Sequence, residues 1–312
     1  QHADIVVATD VNPRALAMAR LTAALNELDI DVRDGSLFDP VAGDTFDLIA
    51  TNPPFVISPP GADVLVYRDS GMPGDSVVRH LVENAEAHLN DGGWCQILAN
   101  WAHHDGRDWR ADLEEWFDGS ALDAWVLQRE LIDPAAYVEM WLADAGLAGT
   151  PDYSRRYGAW LDWFAAERID AVGFGWLSMR RTSATPVLRI EEWTGEIAPP
   201  IGPSVAGWGH RVDVLRNLDD SALLDRTWRH APDLVEETRG PVGSEHPESI
   251  VLRLQQGIRR ARQVDTVEAG LVSASDGDLT AGQIFDALAI LLERDGQELR
   301  STYAASVRDL VD

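Results

Sequence analysis

The sequence has a single cysteine, Cys95, among 312 residues. That excludes a disulfide framework and any cysteine metal site, and makes a reducing, cytoplasmic setting the default reading. Lysine is absent: all 26 basic residues are arginine, against 52 acidic ones. The net charge of −26 opposes non-specific binding to nucleic acid, which depends on neutralising phosphates. It does not exclude a local arginine-lined groove. No stretch approaches the roughly 18 consecutive apolar residues of a membrane helix, so no membrane partner is expected. No signal peptide, internal repeat or low-complexity segment is visible in these residues. The first residue is Gln1, almost directly before a strand pattern, and 307–312 stop within a helical pattern. A fragment cut at both ends is expected.

What is present suits a large folded core: 45% hydrophobic residues with 12 Trp. The run 5–9, Ile-Val-Val-Ala-Thr, is apolar on both faces, as buried parallel strands are. It ends in Asp10. Asn12 is a good N-cap and Pro13 suits a first helical position, so a helix is expected to about Asn26. A weaker strand at 30–32 leads to the turn Asp34-Gly35-Ser36-Leu37-Phe38, and a third strand at 46–50 leads to Asn52-Pro53-Pro54-Phe55. A Pro/Gly-rich loop, 58–74, could close over a ligand. A helix over 76–89, ended by Asp91-Gly92-Gly93, and a strand over 94–99 follow. Strands alternating with helices argue a doubly wound α/β sheet. Such sheets bind ligands at the carboxyl ends of their strands.

Further on, 124–129 reads as a strand, 134–145 and 157–168 as helices, and 172–179 and 187–193 as strands at an antiparallel edge. The Pro/Gly-rich stretch 199–209 marks a boundary. The expected domains are 1–198, an irregular linker over 199–245, and a mostly helical module over 246–312. Thr280 with Gln283 spells a capping box for a helix over 281–292. The module faintly resembles a winged helix.

Asn52 to Phe55 carries the most specific chemistry. The prolines fix φ and have no N–H, and Pro53 pushes Asn52 towards extended backbone. The Asn52 amide oxygen and the Pro53 carbonyl can then face one point, with Phe55 offering a flat ring. A planar NH2 group fits there. Asp10 could accept hydrogen bonds from two ribose hydroxyls, or could simply cap the next helix. Asp34 and Ser36 could read an adenine amino group, though turn chemistry alone explains them. His103-His104 reads as a solvated loop without a third metal ligand. Arg180-Arg181, and Arg259-Arg260 with Arg262, read as solvated faces. Trp101, Trp109, Trp116 and Trp125 read as core aromatics, and Cys95 as a small buried hydrophobe.

Residues 4–100 resemble class I S-adenosylmethionine-dependent methyltransferases of the small-domain type. Asp10, the turn 34–38 and Asn52-Pro53-Pro54-Phe55 stand where that family keeps its acidic residue, its third-strand turn and its Asn-Pro-Pro-aromatic motif. The wording from Phe46 to Phe55 is similar to ribosomal RNA guanine, adenine amino and release-factor glutamine methyltransferases. The whole chain resembles two-part actinobacterial methyltransferases. The resemblance implies a Rossmann-like sheet lacking its first strand, and S-adenosyl-L-methionine as cofactor, held by Asp10, Val11, Asp34, Ser36, Leu37 and Asn52. It implies methyl transfer to a planar amino nitrogen of RNA or DNA, with Asn52, Pro53 and Phe55 at the reacting group. A protein glutamine is the alternative substrate, and a non-catalytic nucleic-acid or partner-binding scaffold the alternative class. The family's glycine-rich loop has no counterpart in the sequence, so the chain is expected to bind cofactor weakly or not at all.

Overall fold

The computed structural model describes residues 3–60, 72–242 and 247–312. The chain divides into two units, Gln1–Thr194 and Gly195–Asp312.

In the first unit, β1 (Val7–Asp10) leads to α1 (Pro13–Leu25) and β2 (Asp31–Asp34). The cap is as the sequence predicts: Asn12 accepts a bond from the Arg14 N–H, with Pro13 in the first turn. β1 and β2 pair in parallel, Val7 opposite Asp31 and Asp10 opposite Asp34. Then come β3 (Phe46–Thr51), α2 (Ser76–Ala85), β4 (Leu89–His104), α3 (Trp109–Glu114), β5 (Leu122–Ile132), α4 (Pro134–Asp144), α5 (Tyr153–Ala166), β6 (Ile169–Arg181) and β7 (Leu188–Glu192). They build a five-stranded sheet in the order β3-β4-β6-β5-β7. β6 alone runs against the others.

Period-two alternation on β4 sorts its side chains onto two faces. Cys95, Ile97, Ala99 and Trp101 join Val77, Val78, Leu81 and Val82 of α2 and Leu113 of α3 in one core. Ala102 joins Tyr137, Val138 and Trp141 of α4 and Trp160 and Phe164 of α5 in the other. Helices thus cover both faces, the doubly wound arrangement the sequence predicts.

The sheet is in two pieces. Among the described residues β1 and β3 each have a strand partner on one side only. Apolar side chains lie exposed here: Ile5 and Val6 just before β1, Met18, Leu21 and Leu25 on α1, and Leu48 on β3, the last 62% accessible. The expectation that 5–9 is buried on both faces is therefore corrected.

Other corrections have local causes. The α2 helix stops at Ala85 and the chain is already in β4 at Leu89. Gly92, with φ +77°, lets the strand bulge where the sequence suggests a helix end. The 172–179 strand is antiparallel, but β6 is interior and β7 forms the edge, parallel to β5. Two glycines on β6, Gly173 and Gly175, admit the Trp101 ring. Most of the 58–74 loop, residues 61–71, lies outside the described residues.

The second unit begins with α6 (Gly202–Arg216) and α7 (Asp220–Leu224). An ordered helix thus occupies a stretch expected to be irregular. β8 (Thr227–Arg229), β9 (Leu234–Arg239), β10 (Ser249–Leu254) and β11 (Ala261–Val264) come next, then α8 (Thr266–Ala274), β12 (Asp276–Thr280), α9 (Ala281–Leu291) and α10 (Gly296–Val311). β9, β10 and β11 form an antiparallel sheet, and β12 pairs with β8. The region is helical from Thr266, not from 247. The predicted capping box is present: Thr280 accepts from the Gln283 N–H, and Gln283 from the Thr280 N–H. Leu223, Val267, Leu271, Ile284, Phe285 and Leu299 form this unit's main core. Among the described residues no helix is long and apolar enough to cross a membrane.

Candidate active site

Asp10 and Asp34 close the parallel pair as register partners, so two carboxylates stand side by side at the carboxyl ends of β1 and β2. The Asp10 carbonyl accepts the Gly35 N–H at 3.1 Å. One Asp10 carboxylate oxygen accepts the Asn12 N–H at 2.7 Å. Asn12, not Asp10, caps the helix, and the Asp10 turn bond is compatible with ligand binding, because a carboxylate offers about four acceptor sites. The Asp34 carboxylate makes no hydrogen bond among the described residues, and both aspartates are exposed.

The turn beyond β2 is shaped by its backbone. Leu37 takes a left-handed conformation, φ +47°, and Gly35 has φ +149°. A Cβ on Gly35 would sit 2.4 Å from the Pro40 ring, so only glycine fits there. Ser36 and Val11 are exposed. Leu37 and Phe38 turn inward onto the core that Ile49 of β3 also lines, and Phe38 stacks on His88 at 4.4 Å.

Asn52 follows β3 directly. Its side chain is exposed and makes no hydrogen bond among the described residues. Pro53 is buried and Phe55 half-buried. The Phe55 ring meets Trp141 edge-on at 6.3 Å and packs against both cores of the unit. The structure therefore joins Asp10 with Asp34, and Phe55 with Trp141. It shows no hydrogen bond between Asn52 and either aspartate.

Three residues near the motif carry no sequence signal. The Ile57 N–H donates to the Tyr137 hydroxyl at 2.8 Å, and the Asn100 amide donates to the same oxygen at 2.9 Å. The Trp160 indole N–H donates to the Ile57 carbonyl at 3.1 Å. Partners 80 and 103 residues away leave no spacing to read.

The polar groups at the end of β4 are more engaged than the sequence suggests. His103 is half-buried within the strand, bonded to Gln128 Oε1 at 2.8 Å and stacked on Trp109 at 5.2 Å. Burial lowers its pKa, partly offset by the Gln128 bond. His104 faces Asp112 at 3.4 Å. These contacts replace the solvated loop expected there. Arg180, also expected on a solvated face, donates to the fully buried Asp123 at 2.8 Å, and Arg181 donates to the Leu89 carbonyl at 2.6 Å. Arg259 and Arg262 pair with Glu196 and Glu268. Asp75 accepts the Ala102 N–H at 3.0 Å. Burial raises its pKa above the ordinary carboxylate value, against the opposing pull of that bond and of His104. Among the described residues no three His, Cys, Asp or Glu side chains are grouped to hold a metal ion.

Comparison with known proteins matches residues 1–120 to the methyltransferase small domain. The release factor glutamine methyltransferase of Geobacter sulfurreducens is 32% identical over 104 residues, covering 30% of this chain and 36% of that protein. The ribosomal RNA small subunit methyltransferase C of Erwinia tasmaniensis is 34% identical over 92 residues, covering 30% of this chain and 23% of that protein. The chain thus spans about a third or less of these relatives' length. Among solved structures, the YcgJ protein of Bacillus subtilis aligns at 13% identity and TM-score 0.36, over 58% of this chain and 83% of that one. The methyltransferase of Pyrococcus furiosus aligns at 17% identity and TM-score 0.31, over 57% and 63%. The parallel strands, paired strand-end aspartates and Asn-Pro-Pro-Phe turn all lie within residues 1–120, the segment that matches the methyltransferase small domain, and this match supports a class I methyltransferase fold with S-adenosyl-L-methionine as its cofactor.

Proposed function

We propose that this protein methylates a planar amino nitrogen, on a base of RNA or DNA, from S-adenosyl-L-methionine. The observation that carries the reading is Asn52. Its amide is exposed and unpartnered among the described residues, at the carboxyl end of β3 beside two prolines. An exposed amide on a backbone stiffened in this way is preorganised for a ligand.

The residues present fit the cofactor. Asp10 retains acceptor capacity for ribose hydroxyls after its turn bond, and Asp34 and Ser36 stand exposed beside it. Val11 and Leu37 flank that end of the strands. When bound, the cofactor supplies a methyl group on a positively charged sulfur. The protein's part is to hold the acceptor. Asn52 Oδ1 and the Pro53 carbonyl accept the two N–H bonds of the amino group. Those bonds fix the nitrogen and polarise its N–H bonds towards nitrogen, so lone-pair density is directed out of the plane, and the nitrogen releases one of these protons to solvent after it takes the methyl group. Phe55 offers a ring face to stack on the ring or amide plane. Positioning and electrostatics supply the rate, and a base in a duplex must first be flipped out.

A second substrate class, a protein glutamine amide, draws support from charge. A net charge of −26 disfavours phosphate binding, and Arg33, Arg79, Arg107, Arg155, Arg168, Arg180 and Arg189 are paired with acidic neighbours. Incubating the complete gene product that carries this sequence with methyl-labelled cofactor and separate pools of RNA, DNA and protein tests both. Label in a base supports the first reading, label in glutamine the second. Cofactor binding with no label in any pool supports a non-catalytic scaffold.

A further inference from the structure

We infer that Tyr137 is a positioning residue for the amino-binding turn, acting with Asn100 and Trp160 through the backbone of Ile57. The inference rests on the reading of Asn52 to Phe55 given above. Both ends of that turn are referred to one strand. Thr51 is held in the ladder opposite Ile97 of β4. Six residues on, the Ile57 N–H is held by the Tyr137 hydroxyl, which also takes the amide of Asn100, three residues beyond Ile97 on β4. The Ile57 carbonyl is held independently by Trp160 from α5. Between the two fixed points lie five residues, two of them prolines with locked φ. Such a span has few conformations, so the placement of the Asn52 amide and the Pro53 carbonyl is set by where Ile57 is pinned.

Burial makes the pin strong. Ile57, Asn100 and Tyr137 are each 0% exposed and Trp160 4%, so water cannot replace a lost bond. The arrangement also costs the fold something. Asn100 Oδ1 is buried with no partner among the described residues. An apolar residue at position 100 would avoid that cost. A position serving packing alone has no reason to keep an amide there. Tyr137 itself is ringed by Trp141, Trp160, Phe164 and Phe174 at 5.8–6.5 Å, which fixes the hydroxyl in place.

Tyr137→Phe removes the hydroxyl and keeps the ring. Amide hydrogen exchange of the whole chain is the first measurement, with Leu177 in β6 as internal reference. The expected result is exchange at Ile57 faster by about tenfold or more, the equivalent of one buried hydrogen bond, with Leu177 unchanged. No change at Ile57, or a rise only in step with Leu177, overturns the inference. Should Tyr137→Phe not fold, Trp160→Phe decides by the same comparison, since it removes the other bond. The second measurement is methyl transfer by the complete gene product. The inference expects kcat to fall about tenfold with the cofactor KM unchanged; unchanged kcat, or a change confined to KM, overturns it. Absence of transfer by the unmodified protein would count against the proposed function alone, and exchange at Ile57 would still decide the role of Tyr137.

Discussion

Replacing Gly175 by alanine tests how closely β6 must pack on β5 and the Trp101 ring. A Cβ at Gly175 would lie 2.0 Å from the Leu127 carbonyl oxygen and 2.8 Å from the Trp101 ring. The first neighbour is backbone, on the adjacent strand β5, and cannot rotate away. The strands must part by roughly an ångström at the register pairs Leu127–Trp176 and Gln128–Gly175. Overpacking of this kind costs about 1–3 kcal/mol or more, and a disturbed ladder bond adds about 1 kcal/mol. The expected loss is about 3 kcal/mol. Gly173 is the control. Its added Cβ would meet Gln128 Oε1 at 2.3 Å and Trp101 Nε1 at 2.5 Å, both side-chain atoms. Truncating Trp101 to leucine removes one of the two clashes at Gly173 and frees Gln128 Oε1 of its Trp101 bond, so it should relieve Gly173→Ala more than Gly175→Ala, whose clash with the Leu127 carbonyl stays. Urea unfolding followed by far-ultraviolet circular dichroism measures each term, at constant m-value. A cost below about 1 kcal/mol for Gly175→Ala, or full relief of it by Trp101→Leu, refutes the reasoning.

Asp75 predicts a pH effect. Its folded pKa is raised, chiefly by burial, so its contribution to stability is greatest below the unfolded value and is lost as pH rises through the folded one. Asp75→Asn keeps an acceptor for the Ala102 N–H and removes the charge. It should raise Tm at pH 7, with the gain vanishing towards pH 4; a lower Tm at pH 7 would refute this. Burial pushes the Cys95 thiol up to about 12, so a thiol reagent at pH 8 should label it only after denaturant is added. Asp10→Ala should weaken cofactor binding by the complete gene product about 10- to 100-fold, as losing hydrogen bonds to a charged group does. Calorimetric titration measures it, and an unchanged Kd would remove Asp10 from the site.

The fold was readable where its signals are local. Asn12-Pro13 marks a helix start, Asp34 to Phe38 a turn, and the Thr280–Gln283 pair a cap. The proposed amino-binding turn rests on consecutive residues, Asn52 to Phe55, which is why it can be read in the sequence. It was not readable where bonds close over 80 or 103 residues, as at Ile57. The helix over 202–216 was hidden by its own Gly and Pro content, which tertiary burial of Val205, Trp208 and Val212 overrides. The β4 start was hidden because glycines at 92 and 93 signal a helix end and a strand bulge equally well.

Asn52→Ala, in the complete gene product with methyl-labelled cofactor, tests the central claim most directly. Initial rates of transfer to RNA, DNA and protein are compared with those of the unmodified protein. The account predicts that transfer to whichever pool accepts label falls about 10²- to 10³-fold, the loss typical of one preorganised polar contact at a reacting group. Transfer at an undiminished rate into the same pool would contradict it.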